Sequence, residues 1–275
     1  MLVCEPMNPA PPVTKTVDIE ITSILLFSYI ILTKQAKEKS KSAFFAPKNA
    51  RKRGTNMELY DKIHSNEELK TYILAGNRVL GELGFTEHGL AHAGTVSKMS
   101  REILEILGYS DHECELAAIA GYMHDIGNMI NRCDHAQSGG ILAFNILRSL
   151  EVNPKDIAMI VGAIGHHDEK TAAPVSPVAA ALILADKSDV RRSRVRNSKT
   201  VSTDIHDRVN YAVVDSELEV DGEERIIILR LKIDTEICPV MEYFEIFLER
   251  MVLCKKSAAR LGCSFELIIN DTRLL

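Results

Sequence analysis

The stretch GYMHDIGN, residues 121–128, decides how the rest of the sequence is read. A histidine directly followed by an aspartate, His124-Asp125, closes a mostly apolar run over residues 116–123. Burying such a pair without partners is costly. A divalent cation that takes both side chains as ligands removes that cost, because neutral imidazole and carboxylate suit such ions. Further candidates stand on either side: His92 before the pair, and His135, His166, His167 and Asp186 after it.

Taken alone, each of these histidines reads best as a hydrogen-bonded core residue. His64 and His112, in polar surroundings near helix starts, fit a plain reading, and His206 reads as surface. The others cluster between residues 88 and 167 beside aspartates and glycines, which favours a shared task. Five histidines and two aspartates suit two ions a few ångströms apart, joined by a carboxylate.

The surrounding signals are helical. Ser65 to Glu68 reads as a capping box before Leu69, Ile73 and Leu80 at helical spacing. A second helix is expected over residues 88–107, stopped by Gly108. Ser110 to Glu113 is another capping box and opens the helix that ends at His124-Asp125. Residues 136–150 form a further helix. Asn153-Pro154 and Ser176-Pro177 each place an N-cap before a proline, opening helices that reach His166 and Asp186. Residues 57–204 therefore read as a bundle of six or so helices, and a bundle can converge side chains from several helices on one interior point.

The pattern changes from residue 205. Residues 211–220 and 225–233 read as a β-hairpin around Asp221-Gly222. A long amphipathic helix over 239–261 and a strand over 264–269 complete a β-β-α-β unit at residues 205–275. No catalytic cluster stands out in it. Its hairpin and helix offer an extra apolar surface that suits a homodimer.

Residues 1–56 differ again, with nine basic against four acidic residues and prolines 6, 9, 11 and 12. An N-terminal extension with little order is expected there. The apolar run 21–33 is shorter than the roughly 20 residues a membrane span needs. Met57 opens the more orderly sequence and is one reading of the true start. For the whole chain of 275 residues, 46% hydrophobic content and a mean hydropathy of -0.02 fit one well-cored globular protein. The net charge of -5 does not call for a nucleic-acid partner. Six cysteines without a CxxC pair read as reduced thiols in a cytoplasmic protein.

Residues 85–195 resemble the HD-domain metal-dependent phosphohydrolases. The family pattern is H…HD…D, with extra histidines in dinuclear members. His92 in HGLAHAGTVS matches the first ligand, His124-Asp125 the naming doublet, and Asp186 in LILADKSDV the final aspartate. His135 in HAQSGGILAFNIL and His166-His167 in IGHHDEK are similar to segments of the dinuclear cyclic-dinucleotide phosphodiesterase branch. That branch has a GYP element after its histidine pair, and a lysine where Asn128 stands. This chain lacks both, which puts a cyclic dinucleotide substrate in doubt. His88 stands where some relatives carry an acidic residue near the metal.

The resemblance implies a mainly α fold, an HD-domain helical bundle followed by a small α+β C-terminal subdomain. It implies two divalent ions of iron, manganese, cobalt or nickel. Asp125 would bridge them, with His92, His124 and Asp186 on one and His135, His166 and His167 on the other. The bridging water, ionised near neutral pH, would attack a nucleotide or other small phosphate ester. Lys187, Arg191 and Arg194 would hold the phosphate, with Asp125 and Lys187 central to catalysis. Asp189 would orient a ligand. The alternatives are a di-iron oxygenase of the same fold and a non-catalytic HD signalling or scaffold module.

Overall fold

The computed structural model describes residues 57–196 and 205–275. The expectations for residues 1–56 lie outside that range. The chain is mainly helical, with a small sheet at its C-terminal end. The helices are α1 (Glu58–His64), α2 (Glu67–Glu82), α3 (Leu90–Ile106), α4 (Asp111–Met123), α5 (His135–Ser149), α6 (Pro154–Gly165) and α7 (Pro177–Ser188). Short 3-10 turns at Ile126–Met129 and Arg192–Arg194 follow α4 and α7. Then come α8 (Ile205–Ala212), β1 (Val213–Asp221), β2 (Ile226–Ile233), α9 (Val240–Arg260), β3 (Ser264–Ile269) and β4 (Thr272–Arg273). Among the described residues, no helix is long and apolar enough to cross a membrane, and the cysteines are free thiols.

Capping chemistry sets several of these boundaries. Ser110 and Glu113 bond reciprocally at the start of α4. Asn153 and Ser176 cap α6 and α7, each with proline just inside. The first expected box is displaced by one residue. Asn66 caps α2 by accepting from the Leu69 amide at 3.0 Å, whereas Ser65 donates back to the Asp61 carbonyl at 2.7 Å and closes α1.

α7 runs through the middle of the helical part. Nearly all of its residues from Val178 to Ser188 are buried, and it packs on α3, α4, α6 and α9. Its alanines permit that crowding. α4 lies tightly on α3 because position 121 carries no side chain. A Cβ on Gly121 would stand 2.8 Å from Ser97 Cα and 2.9 Å from the Val96 carbonyl. Ser97 Oγ also donates to the Ala118 carbonyl at 2.8 Å. This close approach brings His92 on α3 beside His124 at the end of α4, with ring centroids 5.1 Å apart.

The sheet has the order β1-β2-β3-β4. β1 and β2 are antiparallel, β2 and β3 parallel, β3 and β4 antiparallel. The parallel step is made possible by α9, which crosses over between β2 and β3. Ile227, Leu229, Leu231 and Ile233 alternate as the buried face of β2. Two boundaries depart from expectation. Tyr211 and Ala212 belong to α8, so β1 starts at Val213. Asp221 stays in the ladder opposite Ile226, and its carboxylate accepts from the Glu223 and Glu224 amides at 2.9 Å each. The connection is thus a four-residue turn ending at Arg225 with φ 56°, not a two-residue one.

Candidate metal centre

The sequence-predicted ligands come from different elements. His92 lies in the first turn of α3, and His124 caps the end of α4. Asp125 precedes the first 3-10 turn. His135 starts α5, His167 follows the end of α6, and Asp186 lies in the last turns of α7. Gly127 lets the 3-10 turn seat against the start of α5, since any Cβ there would overlap the His135 carbonyl.

Four of the rings are fixed by their Nδ1 atoms. His92 Nδ1 donates to Asp189 Oδ2 at 2.6 Å. His124, His135 and His167 direct theirs to the carbonyls of Gly121 (2.8 Å), Arg132 (3.1 Å) and Ile164 (2.6 Å). A carbonyl or carboxylate oxygen can only accept, so Nδ1 carries the proton. In the neutral ring each Nε2 is then an acceptor.

Those nitrogens converge on two carboxylates. His92 Nε2 lies 3.3 Å from Asp186 Oδ1 and 3.8 Å from Asp125 Oδ2. His124 Nε2 lies 3.3 Å from Asp125 Oδ2 and 3.6 Å from Asp186 Oδ1. On the other side, His135 and His167 Nε2 lie 3.4 and 3.8 Å from Asp125 Oδ1. Asp125 thus turns one oxygen to each pair of histidines. His92 Nε2, His124 Nε2 and Asp125 Oδ2 are buried without a hydrogen bond. Acceptors facing acceptors in a buried space call for a cation. The ligand atoms of His92, His124 and Asp186 lie within 4.8 Å of one another, as do those of His124, Asp125 and His167. The donor set therefore fits divalent transition ions.

Burial would lower the His124 pKa, but the Asp125 and Asp186 carboxylates outweigh it and carry the ring up to about 10, so without an ion His124 holds a second proton on Nε2 that a bound metal would displace. Burial would raise Asp125, yet His124 and His167 hold it well below the carboxylate range. Asp186 is held down likewise by Lys187, His124 and His92. His135 goes the other way, lowered by burial to about 4, and stays neutral.

Residues 89–191 match the family model described as the HD domain. This segment is similar to the HD domain. HD domains are mostly metal-dependent hydrolases and bind divalent metals. The chain is also similar to an uncharacterized protein of Methanocaldococcus jannaschii. The two are 26% identical over 160 residues, which is 50% of this chain and 61% of the relative. The chain thus spans less than two thirds of that relative.

Within the matched segment, His166 stands apart from the other predicted ligands. Its Nδ1 lies 2.8 Å from the Gly162 carbonyl of its own helix, and no contact to Asp125 or Asp186 is seen for it among the described residues. The ring that turns inward at this helix end is His167. The predicted phosphate-holding residues also separate. Lys187 Nζ lies 2.7 Å from Asp186 Oδ2. Arg194 is buried and donates to the carbonyls of Glu87 (2.9 Å) and Asp189 (2.6 Å). It clamps the segment before α3, and its donors face protein carbonyls where a phosphate was expected. Arg191 grips Asp189 with two nitrogens, at 2.5 and 3.0 Å, which steadies the partner of His92. His88 Nδ1 bonds the Thr86 carbonyl at 2.7 Å, its ring 5.3 Å from that of His92.

Two neighbours escaped the sequence reading. Asn128 donates to Asp125 Oδ1 at 2.8 Å and orients that carboxylate. Arg132 places Nη1 3.3 Å from His135 Nε2 and 4.0 Å from Asp125 Oδ1. Asp134, with φ 57°, folds the loop back so that this side chain reaches the centre. The local signal for both was spacing: each lies three residues from a ligand.

Proposed function

We propose that this protein is a metal-dependent phosphohydrolase acting on a nucleotide or other small phosphate ester. The observation that carries the reading is Asp125, whose two oxygens face the Nε2 atoms of separate pairs of histidines. That arrangement suits two neighbouring ions sharing one carboxylate. His92, His124 and Asp186 would hold one ion, and His135 and His167 the other. Such ions lower the pKa of a bound water toward neutrality and offset charge on phosphoryl oxygens. The chain's own residues supply the rest. Asp189 and the carbonyls of Gly121, Arg132 and Ile164 keep the rings in the ligating tautomer. Asn128 fixes Asp125. Lys187, buried beside Asp186, provides positive charge next to the reacting phosphate.

The test is elemental analysis of protein purified without chelator, followed by release of inorganic phosphate from a panel of phosphate esters. About two ions per chain and metal-dependent hydrolysis, both lost in Asp125→Ala, are expected. Failure to take up manganese or iron would overturn the reading. So would oxygen consumption without phosphate release.

A further inference from the structure

α9 lies outside residues 89–191, yet it reaches the metal centre. Arg250 on this helix meets Glu169, two residues past His167, with Nε 2.5 Å from Oε1. The same Oε1 lies 3.6 Å from Lys187 Nζ. Lys187 Nζ in turn lies 2.7 Å from Asp186 Oδ2, and the other oxygen of Asp186 faces His92 and His124. Two cations and two carboxylates therefore alternate in a line that ends at the candidate metal ligands.

We infer that Arg250, with Lys187, forms the pocket for the substrate's phosphate, and that Glu169 holds the place of that anion until it arrives. The inference rests on the phosphohydrolase reading and names a substrate-binding residue for it. Three observations support it. First, the Arg250 Nε atom is buried and makes no hydrogen bond even with Glu169 so near. The carboxylate approaches off the N–H direction, so the pair is a charge contact and leaves the donor unsatisfied. A tetrahedral phosphate can offer an oxygen along that direction. Second, the line is graded in exposure. Side-chain exposure is 25% at Arg250 and 24% at Glu169, then 7% at Lys187 and 12% at Asp186. An anion can enter from the outer pair and reach the inner one. Third, Arg250 is held ready: its guanidinium lies over the buried Phe247 ring, 4.2 Å from the centroid. Phe247 sits one turn earlier on α9, so the helix presents both as a unit.

Glu169 carries like charge to the incoming phosphate and shares its two cations. It must release both when phosphate binds, so its removal lowers the barrier to entry.

The experiment titrates orthophosphate into wild type, Arg250→Ala, Arg250→Lys and Glu169→Gln, following heat. Metal content and melting temperature are recorded for each. Arg250→Ala is expected to weaken phosphate binding roughly tenfold to a hundredfold, the loss of a charge-assisted contact, with metal content unchanged. Arg250→Lys restores part of it. Glu169→Gln is expected to tighten it several-fold. Equal affinity in wild type and Arg250→Ala, weaker binding in Glu169→Gln, or no binding to wild type would overturn the inference. Phosphate binding that obeys these rules in a protein that hydrolyses no ester would overturn only the phosphohydrolase reading.

Discussion

The Nε2 atoms of His135 and His167 face each other at 3.2 Å, although both rings already donate through Nδ1 to backbone carbonyls. Two lone pairs aimed at one another repel, and both rings are buried. A cation between them removes the repulsion. Metal removal is therefore expected to destabilise the fold as well as abolish activity. Ligand binding to the native state alone adds about 2.7 kcal/mol at a hundredfold excess over Kd. Melting with manganese and then with a chelator checks this. The same midpoint in both would sink it. If two ions bind as proposed, His135→Ala should leave one ion per chain.

Asp189 would act on a bound metal through His92. Its Oδ2 accepts the His92 proton at 2.6 Å, and Arg191 and Arg194 surround it with positive charge. Outer partners of this kind are worth about 10–100-fold in metal affinity. Asp189→Ala is expected to weaken binding within that range. Asp189→Asn keeps an acceptor for His92 and should weaken it less. Arg194 bonds the residue 189 carbonyl, which both variants retain, so the fold should persist. Competitive chelator titration gives the affinities.

Much of this arrangement was legible before any coordinates. Caps at Ser110, Asn153 and Ser176 mark helix starts because their chemistry is local. The ligand segments could be read in order along the chain. What escaped depended on geometry at helix ends or across the fold. Spacing cannot decide which of two adjacent histidines turns inward where α6 stops, and the turn favours His167. Basic residues after Asp186 looked available to substrate, but Arg194 meets carbonyls of residues 87 and 189. Arg250 carries no motif and stands far along the chain from Lys187, so only the packing of α9 on α7 reveals it.

Alkaline pH should destabilise the protein through its buried thiols. Burial pushes Cys254 up to about 12, and burial with Glu242 pushes Cys238 up to about 11. In the unfolded chain a thiol ionises near ~8.5. Between that pH and the folded values the unfolded state has lost protons that the native state keeps. The thiol contribution is therefore fully present below about 8.5 and is lost as pH rises through the folded pKa, at up to about 1.4 kcal/mol per pH unit per thiol. Urea midpoints at pH 8 and 10.5 measure the decline. The double variant Cys238→Ala, Cys254→Ala should show a shallower one; an equal slope would refute the assignment.

The close approach of α4 to α3 sets up a contrast between two glycines. Gly121 sits where a Cβ would meet Ser97 Cα at 2.8 Å and Ser97 N at 2.9 Å. Both are backbone atoms and cannot rotate away, so Gly121→Ala must push α4 off α3. Overpacking of this kind costs about 1–3 kcal/mol. The same shift moves His124 relative to His92 and should loosen metal at the His92, His124, Asp186 group. Gly94, on α3 itself, has nothing within 4 Å of a Cβ. There Gly94→Ala should stabilise by about 0.5–1 kcal/mol, because alanine is the better helix former. Denaturant unfolding of both variants, with metal content measured alongside, separates the two effects. If Gly121→Ala were as stable as wild type and kept full metal, the close α3–α4 contact would not be what positions the His124-Asp125 pair.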